Sequence, residues 1–176
     1  MLFACSPVTA WVDSPLGPVL LAASSKGLCG AWFEGQRHLP DSSRWSEQQK
    51  HPVLLQAQQA LSLYFAGSGP TLDFSLDLSQ GTDFQQLVWR ALLQIPRGSS
   101  TSYSALSKRI GKPRAQRAVG AAVGRNPLSI FVPCHRVLGL DGSLTGYAGG
   151  LGRKISLLTQ EGCSFRHTTP QRNASH

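Results

Sequence analysis

The spacing of apolar positions changes character twice along the chain. Residues 9–12, 19–23 and 28–33 are short apolar runs, separated by Pro15-Leu16-Gly17-Pro18 and Ser24-Ser25-Lys26-Gly27. Turn-forming clusters at that interval predict an antiparallel meander of three strands or slightly more. Residues 35–50 are polar and irregular and read as a surface loop. His51-Pro52 then opens a helix with proline in its first turn, and Leu54, Ala57, Leu61 and Tyr64 keep one face apolar until Gly67 stops it. Residues 71–76 offer one more strand, bounded by Pro70 and by Ser79-Gln80-Gly81.

Beyond a linker at 78–81 the period becomes helical. Thr82 and Gln85 have capping-box spacing. Phe84, Leu87, Val88, Ala91, Leu92 and Ile95 recur at i, i+3, i+4, i+7, i+8 and i+11, and Pro96 ends the helix. Residues 102–126 predict two short helices about Gly111-Lys112-Pro113, the first anchored by Leu106 and Ile110. In the second, over 114–125, Val119 and Val123 share one side. Arg114, Arg117, Ala118, Ala121 and Arg125 fall within an arc of about 100° on the other. That exposed face carries arginines, no side chain larger than alanine between them, and no acid. Two such helices about a glycine-containing turn form a helix-turn-helix, with small residues to approach a groove floor and arginines for the flanking phosphates.

Residues 138–143 read as a hairpin turn, and Thr145-Gly146-Tyr147-Ala148-Gly149-Gly150 as a glycine-rich loop with one aromatic. A last helix carries Leu151, Ile155 and Leu158 and is ended by Gly162. From about 166 the chain is polar and aperiodic, a loose tail. The fold class that follows is α+β. An α/β N-terminal lobe (1–80) holds the antiparallel sheet, and a mostly helical C-terminal lobe (81–176) holds the helix-turn-helix.

Charge sharpens the division. Residues 1–80 hold 4 Lys/Arg against 6 Asp/Glu, residues 81–176 hold 13 against 3, and the whole chain is +8. A neutral half joined to a strongly basic one predicts a face for a polyanion. No apolar run approaches the ~20 residues that cross a membrane, and no basic stretch precedes an apolar segment at the N-terminus. The expectation is a soluble cytoplasmic protein. The four cysteines (Cys5, Cys29, Cys134 and Cys163) form no CxxC, so neither a zinc ribbon nor a disulfide framework is indicated.

Cys134 is set apart from the other three by its surroundings. The apolar run 128–132 is halted by Pro133, and a thiol and an imidazole, Cys134 and His135, follow at once. A free thiol has a pKa near 8.5, so a nucleophilic role requires a base or a positive field. Neighbours in sequence tend to point apart, so His135 could reach the thiol directly or through a water.

These residues carry a resemblance. Pro133-Cys134-His135-Arg136-Val137 looks like the active-site motif of the O6-alkylguanine-DNA alkyltransferases, also called methylated-DNA–protein-cysteine methyltransferases. Gly81-Thr82-Asp83-Phe84-Gln85-Gln86, Thr101-Ser102-Tyr103, Gln116-Arg117-Ala118-Val119-Gly120, Arg125-Asn126-Pro127 and Gly146-Tyr147-Ala148-Gly149-Gly150 match in family order, and Asp13-Ser14-Pro15-Leu16-Gly17 resembles the first hairpin. The likeness covers about residues 9–162.

The resemblance implies DNA repair by transfer of an alkyl group from O6-alkylguanine, and from O4-alkylthymine, to Cys134, once per molecule. It implies a relay of Glu161, His135, a water and Cys134, with Asn126 as a hinge tying the turn to the nucleophile's strand. Arg117 would fill the gap left by a flipped nucleotide, entered from the minor groove. Tyr103, just before the first helix, would crowd the 3′ phosphate and help rotate the base. Main-chain groups of Cys134 and Val137 would hold the guanine under Tyr147 and Ala148. Some relatives have serine where this chain has Ala148, so a side-chain hydroxyl is lost. Certain members bind zinc through N-terminal cysteines and histidines. Cys5, Cys29, His38 and His51 lack ligand spacing, so no metal and no cofactor are assigned. The expected partner is double-stranded DNA containing alkylated guanine, met by a monomer with the option of clustering along the duplex, and no membrane. Two rivals stand beside this reading: a helix-turn-helix protein that binds lesions without repair, and a cysteine hydrolase with a Cys–His pair.

Overall fold

A computed structural model describes residues 6–68 and 73–166. The meander forms as β1 (Val8–Val12), β2 (Val19–Ser24) and β3 (Gly27–Phe33), antiparallel throughout, with Val12 opposite Val19 and Val19 opposite Phe33. A fourth strand, β4 (Ser46–Glu47), adds parallel to β1, giving the order β3-β2-β1-β4. It lies inside the stretch expected to be an irregular loop. Two polar residues carry no period, and the strand exists because Gln48 N–H finds Thr9 O at 2.8 Å.

Every residue of β2 but the last is buried, so the sheet is covered on both faces. Helix α1 (Pro52–Phe65) covers one with Leu54, Ala57, Leu61 and Tyr64, the predicted face. Leu39 and Trp45, from the loop before it, pack on Leu20, Ala22, Cys29 and Trp32 on the other. The strand expected over 71–76 falls partly outside the described residues; the remainder makes one bridge, Leu76 to Leu28, and no strand.

Helix α2 (Asp83–Leu92) starts at the expected capping box, with Thr82 Oγ1 accepting from Gln85 N–H and Gln85 Oε1 from Thr82 N–H. Its buried face differs from the expectation. Leu87 is 40% exposed and Trp89 is fully buried, because the indole N–H donates to Ala122 O at 2.9 Å and turns the helix toward its neighbour. The pair α3 (Tyr103–Arg109) and α4 (Gln116–Gly124) is the expected helix-turn-helix. Two boundaries are corrected. Tyr103 is the first residue of α3 instead of preceding it, since Ser102 is the cap and accepts from Ala105 N–H. Arg114 lies in the turn before α4, because Lys112-Pro113 continues the turn to Ala115.

The hairpin expected at 138–143 is a turn only. Val137–Leu138 (β6) pairs parallel with Thr101–Ser102 (β5) and not with the chain after the turn. In α5 (Leu151–Gln160) the buried residues are Lys154, Leu157 and Leu158, while Leu151 is exposed, so the helix is rotated from the expected face. The tail beyond 166 lies outside the described residues. One core runs through both halves, from Ala10, Leu21 and Leu54 to Trp89, Val119, Val132 and Leu157. Among the described residues, no helix is long and apolar enough to cross a membrane.

Candidate active site and DNA-facing surface

Cys134 opens a single 3-10 turn, Cys134–Arg136. The segment leading to it is no strand, contrary to expectation. Residues 128–132 form a buried turn that touches the sheet once, where Leu128 bridges Ala31 of β3. Ile130 holds φ 72°, a left-handed conformation that β-branched residues rarely adopt. Asn126 fixes the turn from inside. Its Oδ1 accepts from Leu128 N–H at 3.0 Å, and its Nδ2 donates to Val132 O at 2.8 Å and sits 2.9 Å from Cys134 Sγ. One carboxamide thus spans the ends of the turn and the thiol.

Cys134 is only 5% exposed, and burial raises its thiol pKa; the Asn126 bond and the charge of Lys154 pull it back in part. The resting group is a neutral thiol. His135 is fully buried, with Nε2 at 2.8 Å from Glu161 Oε1 and Nδ1 buried without a protein partner among the described residues. Burial holds its pKa below the ordinary value, against the pull of Glu161. With Nε2–H given to the carboxylate, Nδ1 carries the free lone pair.

Glu161 caps α5 and is 7% exposed. It also accepts from Tyr64 Oη at 2.8 Å, and from Arg136 Nε at 2.6 Å and Nη2 at 2.9 Å. Burial alone would raise the carboxyl; the bonds from His135 and Arg136 outweigh it and hold the group far below the usual carboxylate range. Arg136 is anchored in turn on Ile95 O.

Tyr64, Arg136 and Lys154 join the site without a role that the sequence assigns them there. Arg136 stood in the quoted motif and could have been found there; the other two gave no local signal. Lys154 is fully buried, with Nζ donating to Val137 O at 2.6 Å and to Thr145 O at 3.3 Å. Burial lowers its pKa to about 8, and the nearness of Cys134 works the other way. Of the main-chain groups of Val137 expected to meet the base, the carbonyl already accepts one bond.

The loop of Tyr147 and Ala148 is held from three sides. Arg153 donates from Nη1 to Gly149 O (3.1 Å), from Nε to Leu16 O (2.9 Å) and from Nη2 to Glu34 O (3.1 Å), with its guanidinium 4.7 Å from the Phe33 ring centre. Arg37 N–H donates to Ala148 O at 2.9 Å. A Cβ on Gly149 would meet the Tyr147 ring at 2.6 Å, so only glycine lets the loop fold back on that ring.

A cleft of about 450 Å³ opens here, lined by Tyr103, Ala121 and Arg125 of the helix-turn-helix, Tyr147 and Ala148 of the loop, and Arg37 and His38 of the N-terminal lobe. Tyr103 Oη is 2.9 Å from Thr145 Oγ1, which ties α3 to the loop. The pKa values of Tyr103 and Tyr147 are raised by burial and, further, by the nearby Cys134. Arg114, Arg117 and Ala118 are exposed beside the cleft without lining it, while Val119 and Val123 are buried as expected. The structure thus brings Asn126 to Cys134 and His135 to Glu161 as two bonded pairs joined through the Cys134–His135 peptide, and sets Tyr103, Ala121, Arg125, Tyr147 and Ala148 around one cleft. Cys29 is packed in the sheet, where burial pushes its thiol to about 12; Cys5 lies outside the described residues.

Comparison with known proteins bears on the same residues. Residues 83–163 match the DNA binding domain of 6-O-methylguanine DNA methyltransferase, and residues 8–79 match its ribonuclease-like domain. A methylated-DNA–protein-cysteine methyltransferase of Methanosarcina barkeri is 45% identical over 156 residues, 88% of this chain and 97% of its own. One from Mycobacterium bovis is 46% identical over 150 residues, covering 85% and 89%. The crystal structure of Mycobacterium tuberculosis OGT in complex with DNA superposes with a TM-score of 0.81 at 45% identity, over 88% of this chain and 92% of that one.

Proposed function

The chain belongs to the methylated-DNA–protein-cysteine methyltransferase family, and from that premise we propose that it repairs DNA by moving the alkyl group of O6-alkylguanine, or of O4-alkylthymine, onto its own Cys134. The observation that carries this reading is the buried Asn126–Cys134 and His135–Glu161 pair of contacts. It lies beside a cleft whose other wall is the basic helix-turn-helix.

The lesion is shielded inside a duplex, so its nucleotide is turned out into the cleft. Arg117 fills the space in the stack, approached from the minor groove, while Arg114 and Arg125 meet phosphates. Ala118 and Ala121 allow close approach, and Tyr103 presses the backbone toward extrusion. The base lies under Tyr147 and Ala148 against main-chain groups of Cys134 and Val137.

Cys134 enters the reaction as a thiol. Its proton passes through a bridging water to His135 Nδ1, and Glu161 steadies the imidazolium that results. Sγ then attacks the alkyl carbon in line. The new S–C bond forms as the C–O6 bond breaks, the bonding pair stays on oxygen, and the base becomes guanine as its N1 takes up a proton. Asn126 Nδ2 and the ammonium of Lys154 favour the developing thiolate.

A thioether has no leaving group that water or another thiol can displace, so each molecule reacts once. The protein acts as a monomer that can cluster along the duplex. The division near residue 80 leaves DNA contact and chemistry mainly to 81–176. A reduced nucleophilic thiol suits a reducing compartment, the cytoplasm. Intact-mass measurement after mixing with methylated duplex tests the whole scheme. The expected result is one added methyl per chain, on the peptide holding Cys134; turnover, or no transfer, would refute it.

A further inference from the structure

Arg37 and His38 belong to the N-terminal lobe, and the scheme above gives them no part. Both are exposed, and both line the cleft opposite Ala121 and Arg125 of α4. The backbone fixes them there. Arg37 N–H is bonded to Ala148 O at 2.9 Å, and His38 holds φ 66°, a left-handed conformation that histidine enters more readily than most residues other than glycine. The imidazole of His38 is held below its ordinary pKa by partial burial, then by Arg125 and by Arg37, so the three groups share one field. Among the described residues no carboxylate lines the cleft and neither arginine forms an ion pair. Positive groups gathered on a concave surface repel one another until an anion enters.

We infer that Arg37 is a phosphate-contacting residue, gripping the phosphodiester of the strand whose damaged nucleotide enters the cleft, across from Arg125. The cleft runs into the basic face of α4, so a strand lying on that face brings its own phosphates past the Arg37 guanidinium. The N-terminal lobe then contributes directly to DNA binding, with a charge carried by a lobe that is otherwise net acidic. This inference rests on the repair reading above.

The test measures binding of a duplex holding one O6-methylguanine across a salt series, with Cys134→Ser as the parent so that no transfer occurs. Adding Arg37→Ala is expected to weaken binding about three- to tenfold at low salt. It should also flatten the slope of log K against log salt by about 0.9, one phosphate's worth. Arg37→Lys should retain the slope, since charge is what the contact needs. A slope unchanged in Arg37→Ala overturns the inference, as does an equal loss in Arg37→Lys, which would mark packing against the loop. A parent that binds no duplex at all overturns the repair reading and this inference with it, whereas an unchanged slope in a binding parent overturns this inference alone.

Discussion

The carboxamide nitrogen of Asn126 lies 2.9 Å from Sγ of Cys134, and the same nitrogen is bonded to Val132 O at 2.8 Å. One side chain therefore shapes the turn that presents Cys134 and also touches its sulfur. Asn126→Ala should cost both functions. A hydrogen bond to a charged group contributes about 1.5–3 kcal/mol, so transfer to Cys134 should slow roughly 10- to 100-fold. Losing the bonds to Leu128 and Val132 should lower stability by about 1–3 kcal/mol. Single-turnover kinetics and thermal unfolding read the two effects; a stable variant with wild-type kinetics would contradict the assignment.

Glu161 makes stability depend on acid. Its pKa is depressed in the fold, so its contribution is complete above the unfolded value of 4.5 and is lost as pH falls below that toward the folded value. Denaturant titrations should show stability dropping below about pH 4.5, with the drop reduced in Glu161→Gln. That variant also leaves Arg136 buried without its anion, which should cost about 3–5 kcal/mol at neutral pH. An acid-resistant wild type would count against the ion-pair account.

Lys154 sets a positive charge near the thiol without touching it. Lys154→Met keeps the length of the side chain and removes the charge. The Cys134 thiol should then ionise less readily, and both iodoacetamide labelling and DNA-dependent alkylation should slow by about tenfold, one pKa unit's worth of field. Faster labelling would show that the charge acts otherwise.

Ile130 offers a test of strain in the turn. Truncating a buried isoleucine to alanine costs about 2–5 kcal/mol. At φ 72° alanine keeps the left-handed penalty while glycine is free of it. Ile130→Gly should therefore be no less stable than Ile130→Ala, the reverse of the order at ordinary positions. Chemical denaturation of the two variants decides the matter.

What could be read from the sequence followed from local period. The meander, the inward face of α1, the capping box at Thr82 and the small, basic face of α4 each depend on residues a few positions apart. The elements that escaped depend on partners far along the chain. Lys154 turns α5 because Val137 and Thr145 await its ammonium, and Trp89 turns α2 because Ala122 offers a carbonyl. Tyr64 reaches Glu161 across 97 positions, a distance no period can encode. The motif around Cys134 holds His135 and Arg136 beside the thiol, while the turn at Ile130 in place of a strand arises from Asn126 bonding within its own segment.

Among the described residues, the three bonds of Arg153 all end on main-chain oxygens, those of Leu16, Glu34 and Gly149. The side chains at 16 and 34 can therefore drift through evolution without unhooking the loop they help to steady. Their tolerance to substitution would hide a mechanical link that only Arg153 betrays. A library varying those two positions should recover many functional sequences, and one varying Arg153 few.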